Sequence, residues 1–266
     1  MDSGRQSPET GEWRHEQVRR EALAKRDEFH PGMSEDGAFA VHAYTRQEMV
    51  GPLNHALRFG GPELLDLAPQ AGALVSGLNE LPPHVGTVSR RVDFHGDPSR
   101  LQAFLGRFHE GAHITEPSFL SSSKVDSEHP RSTFAGEVEM RIESKTGRDV
   151  ESMASIGRER EVLFKAGSQF EITRVEMGPG HPEHPDFKNE PGARDKPQWI
   201  VHAEEVAPGD PRFRDDSHEA IEERRAQERA DEERFQREAD AELEQFYAEH
   251  PHLRPTNDLF KLLGGD

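Results

Sequence analysis

The chain contains no cysteine, so disulfides, thiolate metal sites and a thiol nucleophile are excluded, while the redox compartment stays open. Aromatic residues are scarce as well, at 7%, with two Trp and two Tyr in 266 residues. Hydrophobic residues make up 32%, no more than the charged ones, so part of the chain is too polar to bury a core. No stretch of about 18 apolar residues exists that could cross a bilayer. The first residues, Met1-Asp2-Ser3-Gly4-Arg5-Gln6, do not form the basic-then-apolar pattern of a cleaved signal. Positive charge is also in deficit, with Lys and Arg at 33 against 51 for Asp and Glu and a net charge of −18. Long-range repulsion at that charge excludes nucleic acid and anionic lipid as default partners.

What is present falls into three parts. Residues 1–36 read as a polar, loosely attached N-terminal arm with a short helix around 16–29, ending in the turn His30-Pro31-Gly32. Residues 37–208 read as the folded unit. Its first half carries helical periodicity over 38–58 (Val41, Tyr44, Met49, Leu53, Ala56, Leu57) and over 63–81 (Leu64, Leu67, Leu74, Leu78). After Pro82-Pro83, strands are expected over 87–94, 118–123, 134–142, 150–154, 161–164, 169–175 and 199–206, with one helix over 99–108. Helices first and a strand-rich half second make an α+β fold. Residues 209–266 form an acidic extension, helical over 217–250, with a thin apolar stripe of Ile221, Phe235, Leu243, Phe246 and Tyr247.

Three features of the strand-rich half ask for a chemical reading. Arg90 alternates with Val88 and Val92, so a guanidinium stands among apolar neighbours and needs either an internal carboxylate or an arriving phosphate or carboxylate. Phe119-Leu120-Ser121-Ser122-Ser123 begins as an apolar strand and ends in three hydroxyls, which either cap a turn or hold a carboxylate or ribose hydroxyl. Glu159 and Glu161 stand two apart at the mouth of the apolar run Val162-Leu163-Phe164. On a strand they would share a face with Cα atoms roughly 6 to 7 Å apart, either as a solvated edge or as a catalytic carboxylate pair.

In order and spacing these three features resemble the Arg, Ser-Thr-Ser and Glu-x-Glu signature of mono-ADP-ribosyltransferases, in particular the arginine-modifying branch found in bacterial ADP-ribosylating toxins. The flanks agree: Ala43-Tyr44-Thr45 and Pro52-Leu53-Asn54-His55-Ala56-Leu57-Arg58 are similar to the helix before the family's first strand. Lys165-Ala166-Gly167-Ser168-Gln169-Phe170 resembles the strand after its catalytic glutamate. The pattern departs from the family at Ser89 and Arg91, where an aromatic residue and glycine are usual, and at Ser122 in place of Thr. The resemblance implies two small packed β-sheets forming an NAD cleft. It implies NAD as co-substrate, contacted by Arg90, Ser121, Ser123 and Glu161, and no metal. Glu161 would stabilise the positive ribose as nicotinamide leaves, Ser121 would fix Glu161, and Glu159 would orient an arginine of a target protein and take its proton. Residues 152–158 would form the turn that meets the target, through Met153 and Ile156.

Other readings compete. His109-Glu110-Gly111-Ala112-His113 fits H-E-x-x-H, in which two histidines on one helix face bind zinc. An NAD glycohydrolase without a protein acceptor, or an inactive module acting through its acidic helix, would keep the fold. The resemblance further implies an exported toxin or effector, secreted or translocated by a specialised system without a cleaved signal and cytoplasmic before export, with an immunity protein or secretion chaperone as a partner.

Overall fold

The computed structural model describes residues 8–46, 50–129, 135–187, 196–215 and 217–250. Four helices come first: α1 (Pro8–Phe29), α2 (Glu35–Tyr44), α3 (Val50–Phe59) and α4 (Glu63–Asn79). Ser34 starts α2 by accepting from the Gly37 amide at 3.1 Å, with Glu35 and Asp36 in the first turn where the helix dipole favours acids. α2 and α4 then touch backbone to backbone, because a Cβ on Gly77 would lie 2.5 Å from the Gly37 carbonyl oxygen. The helical periodicity over 38–58 proves to be two helices, α2 and α3.

Of the segment expected as a loose arm, the part from Glu21 to His30 is docked on the folded unit. α1 buries Ala22 completely, and Glu21 pairs with Arg46 at 2.6 Å. Lys25 Nζ donates to the Ser152 carbonyl at 3.4 Å, and the His30 ring meets the Ser152 hydroxyl at 2.7 Å. Charged residues hold α1 down, which is why apolar periodicity gave no sign of it.

The strands are β1 (Gly86–Val92), β2 (His113–Thr115), β3 (Leu120–Lys124), β4 (Val138–Ser144), β5 (Arg148–Asp149), β6 (Glu161–Phe164), β7 (Gln169–Met177) and β8 (Trp199–Val206). Helix α5 (Pro98–Arg107) follows β1, capped by Asp97, and α6 (Ser217–Glu249) closes the described chain. Where two sheets were expected, hydrogen bonding runs through one sheet in the order β2-β7-β8-β4-β1-β3-β6-β5. The join between β1 and β3 is only two pairs long, Val88 with Lys124 and Ser89 with Ser123. Val88 and Met140 from one side of that join share a single apolar cluster with Leu120, Val162 and Phe164 from the other. The two packed sheets are therefore halves of one sheet that folds over at a short seam.

β6 is buried at all four positions because it is covered on both faces. Val162 and Phe164 enter the cluster inside the folded sheet, while Leu163 joins Tyr44, Leu53, Leu78, Phe119 and Val150 under the helices. The strand expected over 150–154 is a buried turn, and β5 precedes it; the strand expected from 134 begins at Val138, residue 134 itself lying outside the described residues. Among the described residues no helix is long and apolar enough to cross a membrane.

Candidate active site

The short seam between β1 and β3 positions the candidate residues. Pairing of β3 with β6 sets Ser123 opposite Glu161 and Ser121 opposite Leu163, so Ser121, Ser123 and Glu161 look toward the helical side of the sheet. Glu161 is 4% exposed, and the Ser121 hydroxyl hydrogen-bonds its carboxylate. Burial pushes the Glu161 carboxyl up, the Ser121 contact pulls it down, and the nearby Glu159 charge pushes it up again, to about 7. The serine thus fixes the carboxylate without being able to cancel the cost of its burial.

Glu159 does not share a strand face with Glu161. It ends a single 3-10 turn, Gly157–Glu159, and Arg160 follows in the left-handed region at φ 50°. That residue turns the chain, and its guanidinium is tied to Asp126 at 2.6 Å. Glu159 therefore stands half-buried on the loop, its charge felt by Glu161. Met153, expected on the exposed turn, is wholly buried in the helical core, whereas Ile156 is half-buried. Ser123 is buried, and the Ser122 hydroxyl is buried with no hydrogen-bond partner among the described residues.

Arg90 lies one residue past the seam, paired only with Met140 of β4, where β1 and β3 have parted. Simple alternation turns it to the face opposite Glu161. The link between them is Tyr44, which is 1% exposed at the end of α2. Its phenol meets the Ser121 hydroxyl and feels the charges of both Glu161 and Arg90. Burial drives its pKa far up, so it stays a neutral phenol. Asn54 Nδ2 donates to the Tyr44 oxygen at 2.9 Å and to the Phe119 carbonyl at 3.1 Å, while its Oδ1 accepts from the Phe119 amide at 3.1 Å. One turn later on the same face of α3, Arg58 donates to Ser118 at 2.8 Å and Glu116 at 3.3 Å. Burial alone would raise the Glu116 carboxyl, but Arg58 and the Ser118 hydroxyl outweigh it and hold it low. Tyr44, Asn54, Arg58 and Glu116 carried no assigned role in the sequence reading. The signal was the four-residue spacing of Asn54 and Arg58 within a segment already matched for its helix.

Arg90 lines a cavity of about 640 Å³ with Arg58, Phe104, Phe108 and Glu116, and α6 closes its outer side. Its Nε is buried without a hydrogen-bond partner among the described residues. Desolvation lowers the guanidinium pKa and Glu116 opposes the shift. Arg91 is engaged elsewhere, donating through Nε to the Gly136 carbonyl at 2.9 Å. A half-buried cation with a desolvated, unused donor edge beside an open cavity is suited to an arriving phosphate. The H-E-x-x-H reading fails on geometry: α5 stops at Arg107, His109 lies beyond it, and His113 sits in β2 bonded to Gln169 at 2.9 Å. Without a shared helix face, the two histidines cannot form the zinc pair.

A protein of Mycobacterium avium described as an NAD(+)-arginine ADP-ribosyltransferase, Mav, is 38% identical over 156 residues, 56% of this chain and 17% of that protein. The NAD(+)-protein-arginine ADP-ribosyltransferase Tre1 of Serratia proteamaculans is 27% identical over 146 residues, 54% of this chain and 30% of its own length. The chain thus spans less than a third of either relative. Among solved structures, the type III effector XopAI of Xanthomonas axonopodis pv. citri superposes with TM-score 0.54 at 23% identity, covering 75% of this chain and 80% of that one. The ADP-ribosyltransferase toxin Plx2a of Paenibacillus larvae gives 0.50 at 15% identity, covering 73% and 96%. Both share the fold. The model of the family described as NAD:arginine ADP-ribosyltransferase matches residues 5–181, most of the chain, which therefore belongs to that family.

Proposed function

We propose that the protein transfers ADP-ribose from NAD to an arginine of a target protein, using the Arg, Ser and Glu-x-Glu arrangement of Arg90, Ser121, Glu159 and Glu161. The observation that carries this reading is the buried Glu161 carboxylate held by Ser121, linked through Tyr44 to a half-buried arginine whose Nε is a spare donor. NAD supplies an activated ribose whose bond to nicotinamide is the one to be broken. Arg90 offers its unused Nε edge to the diphosphate, and Ser123, beside Glu161, adds a hydroxyl for the ribose. Glu161 accepts from a ribose hydroxyl and, once ionised, stabilises the positive charge that develops as the nicotinamide bond weakens. Tyr44, neutral at any physiological pH, holds the Ser121 hydroxyl without adding a second negative charge. Glu159, half-buried and outside the strand, orients the incoming guanidinium and takes its proton in this reading.

Residues 37–208 form the catalytic unit in this reading, with α1 strapped to it and 209–266 as an extension. Export as a toxin or effector by a specialised system fits the fold's occurrence in a type III effector and a toxin. The exposed part of α6, residues 236–249 with Leu243 and Phe246 outward, is the surface assigned to a chaperone or immunity partner. The test is incubation of the purified chain with NAD labelled in the adenylate half and a lysate. Label on arginine that Glu161→Ala abolishes supports transfer. Release of nicotinamide with no labelled protein makes the chain an NAD glycohydrolase instead, and no turnover of NAD at all defeats both.

A further inference from the structure

The cavity beside Arg90 is rich in arginine, yet the helix that closes it turns acids inward. α6 lies beyond residue 181, where the family match ends. It is seated by backbone caps: Arg225 Nε donates to the Leu57 carbonyl at 2.7 Å and Arg229 Nη1 to the Phe59 carbonyl at 2.5 Å. These are last-turn carbonyls of α3, which the helix itself leaves unpaired. Since α3 also carries Arg58, the caps fix α6 against the helix that supplies a cavity arginine. Glu228 then sits 2.7 Å from Arg224 and 3.6 Å from Arg107, and its charge reaches Arg58. Asp231, with a side chain only 6% exposed, is bonded to Arg107 and lies 3.0 Å from Arg234.

We infer that α6 is the outer wall of the dinucleotide site, and that Glu228 and Asp231 are affinity-determining residues that compete with the diphosphate of NAD for Arg58 and Arg107. The inference rests on the proposed reading in which Arg90 receives that diphosphate. A phosphate entering beside Arg90 comes close to two fixed carboxylates that already neutralise the neighbouring cations. Its net attraction is the difference between those two effects.

The test uses the full chain and calorimetric titration with NAD, ADP and adenosine. Neutralising the inward acids in Glu228→Gln/Asp231→Asn is expected to tighten NAD and ADP about five-fold, while adenosine, which has no phosphate, is unchanged. Glu233→Gln/Glu238→Gln removes the same formal charge from more exposed positions of the helix, with side-chain exposures of 73% and 50%, and is expected to change nothing. Thermal melts establish that each variant is folded, and Glu228→Gln alone serves if the double variant is not. Equal tightening in both double variants would reduce the effect to bulk charge and overturn the inference, as would unchanged or weaker binding in the inward one. Failure of the unaltered chain to bind NAD would instead bring down the functional reading.

Discussion

The two halves of the site handle desolvated charge in opposite ways. On the helical side of the sheet, Glu161 is buried beside Ser121, Ser123 and Tyr44, the nearby Glu159 adds a like charge, and its pKa rises to about 7. On the other side, Arg90 lies next to other arginines and a carboxylate, beside an open cavity, with its Nε unused among the described residues. The first half suppresses a negative charge that it needs during reaction, and the second keeps a positive charge available for a ligand. A dinucleotide with anionic phosphates at one end and a ribose that becomes cationic at the other satisfies both. The difference teaches that neither half is settled alone and that the ligand is the missing counter-charge of each.

The largest effect is expected at Glu161. Glu161→Gln should lower NAD turnover by about 10³-fold or more, since the carboxylate faces the developing charge. In the unaltered chain, turnover should rise with pH through about 7 as Glu161 ionises. Stability should move the other way. Between the ordinary carboxylate pKa and about 7 the folded chain binds more protons than the unfolded one, so stability falls as pH rises through that window, by on the order of 3 kcal/mol in all. Thermal melts should therefore show Glu161→Gln more stable than the unaltered chain at pH 8 and nearly equal to it at pH 5. A variant less stable at pH 8 would show that Glu161 already has a favourable partner, and the contrast between the halves would collapse.

Next in size is the arginine half. Arg90→Lys should weaken NAD about ten-fold or more by removing the planar fork, while Arg91→Lys, whose role is to hold the Gly136 carbonyl, should mainly lower the melting temperature. Reversal of those two outcomes in a binding titration would assign the ligand contact to Arg91. Glu159→Gln separates the two halves in another way. It should reduce transfer to arginine far more than hydrolysis of NAD, and it should lower the pH midpoint of hydrolysis because a negative neighbour of Glu161 is removed. Equal loss of both activities would give Glu159 a role in breaking the nicotinamide bond.

The sequence was legible where one pattern had one structural meaning. The run Val162-Leu163-Phe164 is a strand covered on both faces, the three serines lie within β3 with Ser123 opposite Glu161, and α5 and α6 fall within two residues of their expected limits. It misled where local spacing was read as geometry. Glu159 and Glu161 satisfy strand alternation on paper, but Arg160 in the left-handed region breaks it. Turn 150–154 looked like a strand because Val150, Met153 and Ala154 are buried without regular pairing. Tyr44 had no visible role because its importance comes from three elements converging on one hydroxyl, a long-range fact with no local periodicity.

The smallest expected effect tests whether the halves are independent. Asp97 caps α5 by accepting from the Ser99 and Arg100 amides at 2.9 and 3.1 Å, and α5 supplies Phe104 and Arg107 to the cavity. Asp97→Ala should cost about 1 kcal/mol of stability, read from a denaturant titration. It should raise the KM for NAD slightly, because a frayed α5 loosens the cavity wall. The pH midpoint near 7 should not move, since burial, Ser121 and Glu159 set the Glu161 carboxyl and Asp97 is not among those causes. If the midpoint moved with the KM, the cavity and the buried carboxylate would be one coupled unit, and the opposite treatment of charge on the two sides would be a property of the whole sheet rather than of two separable halves.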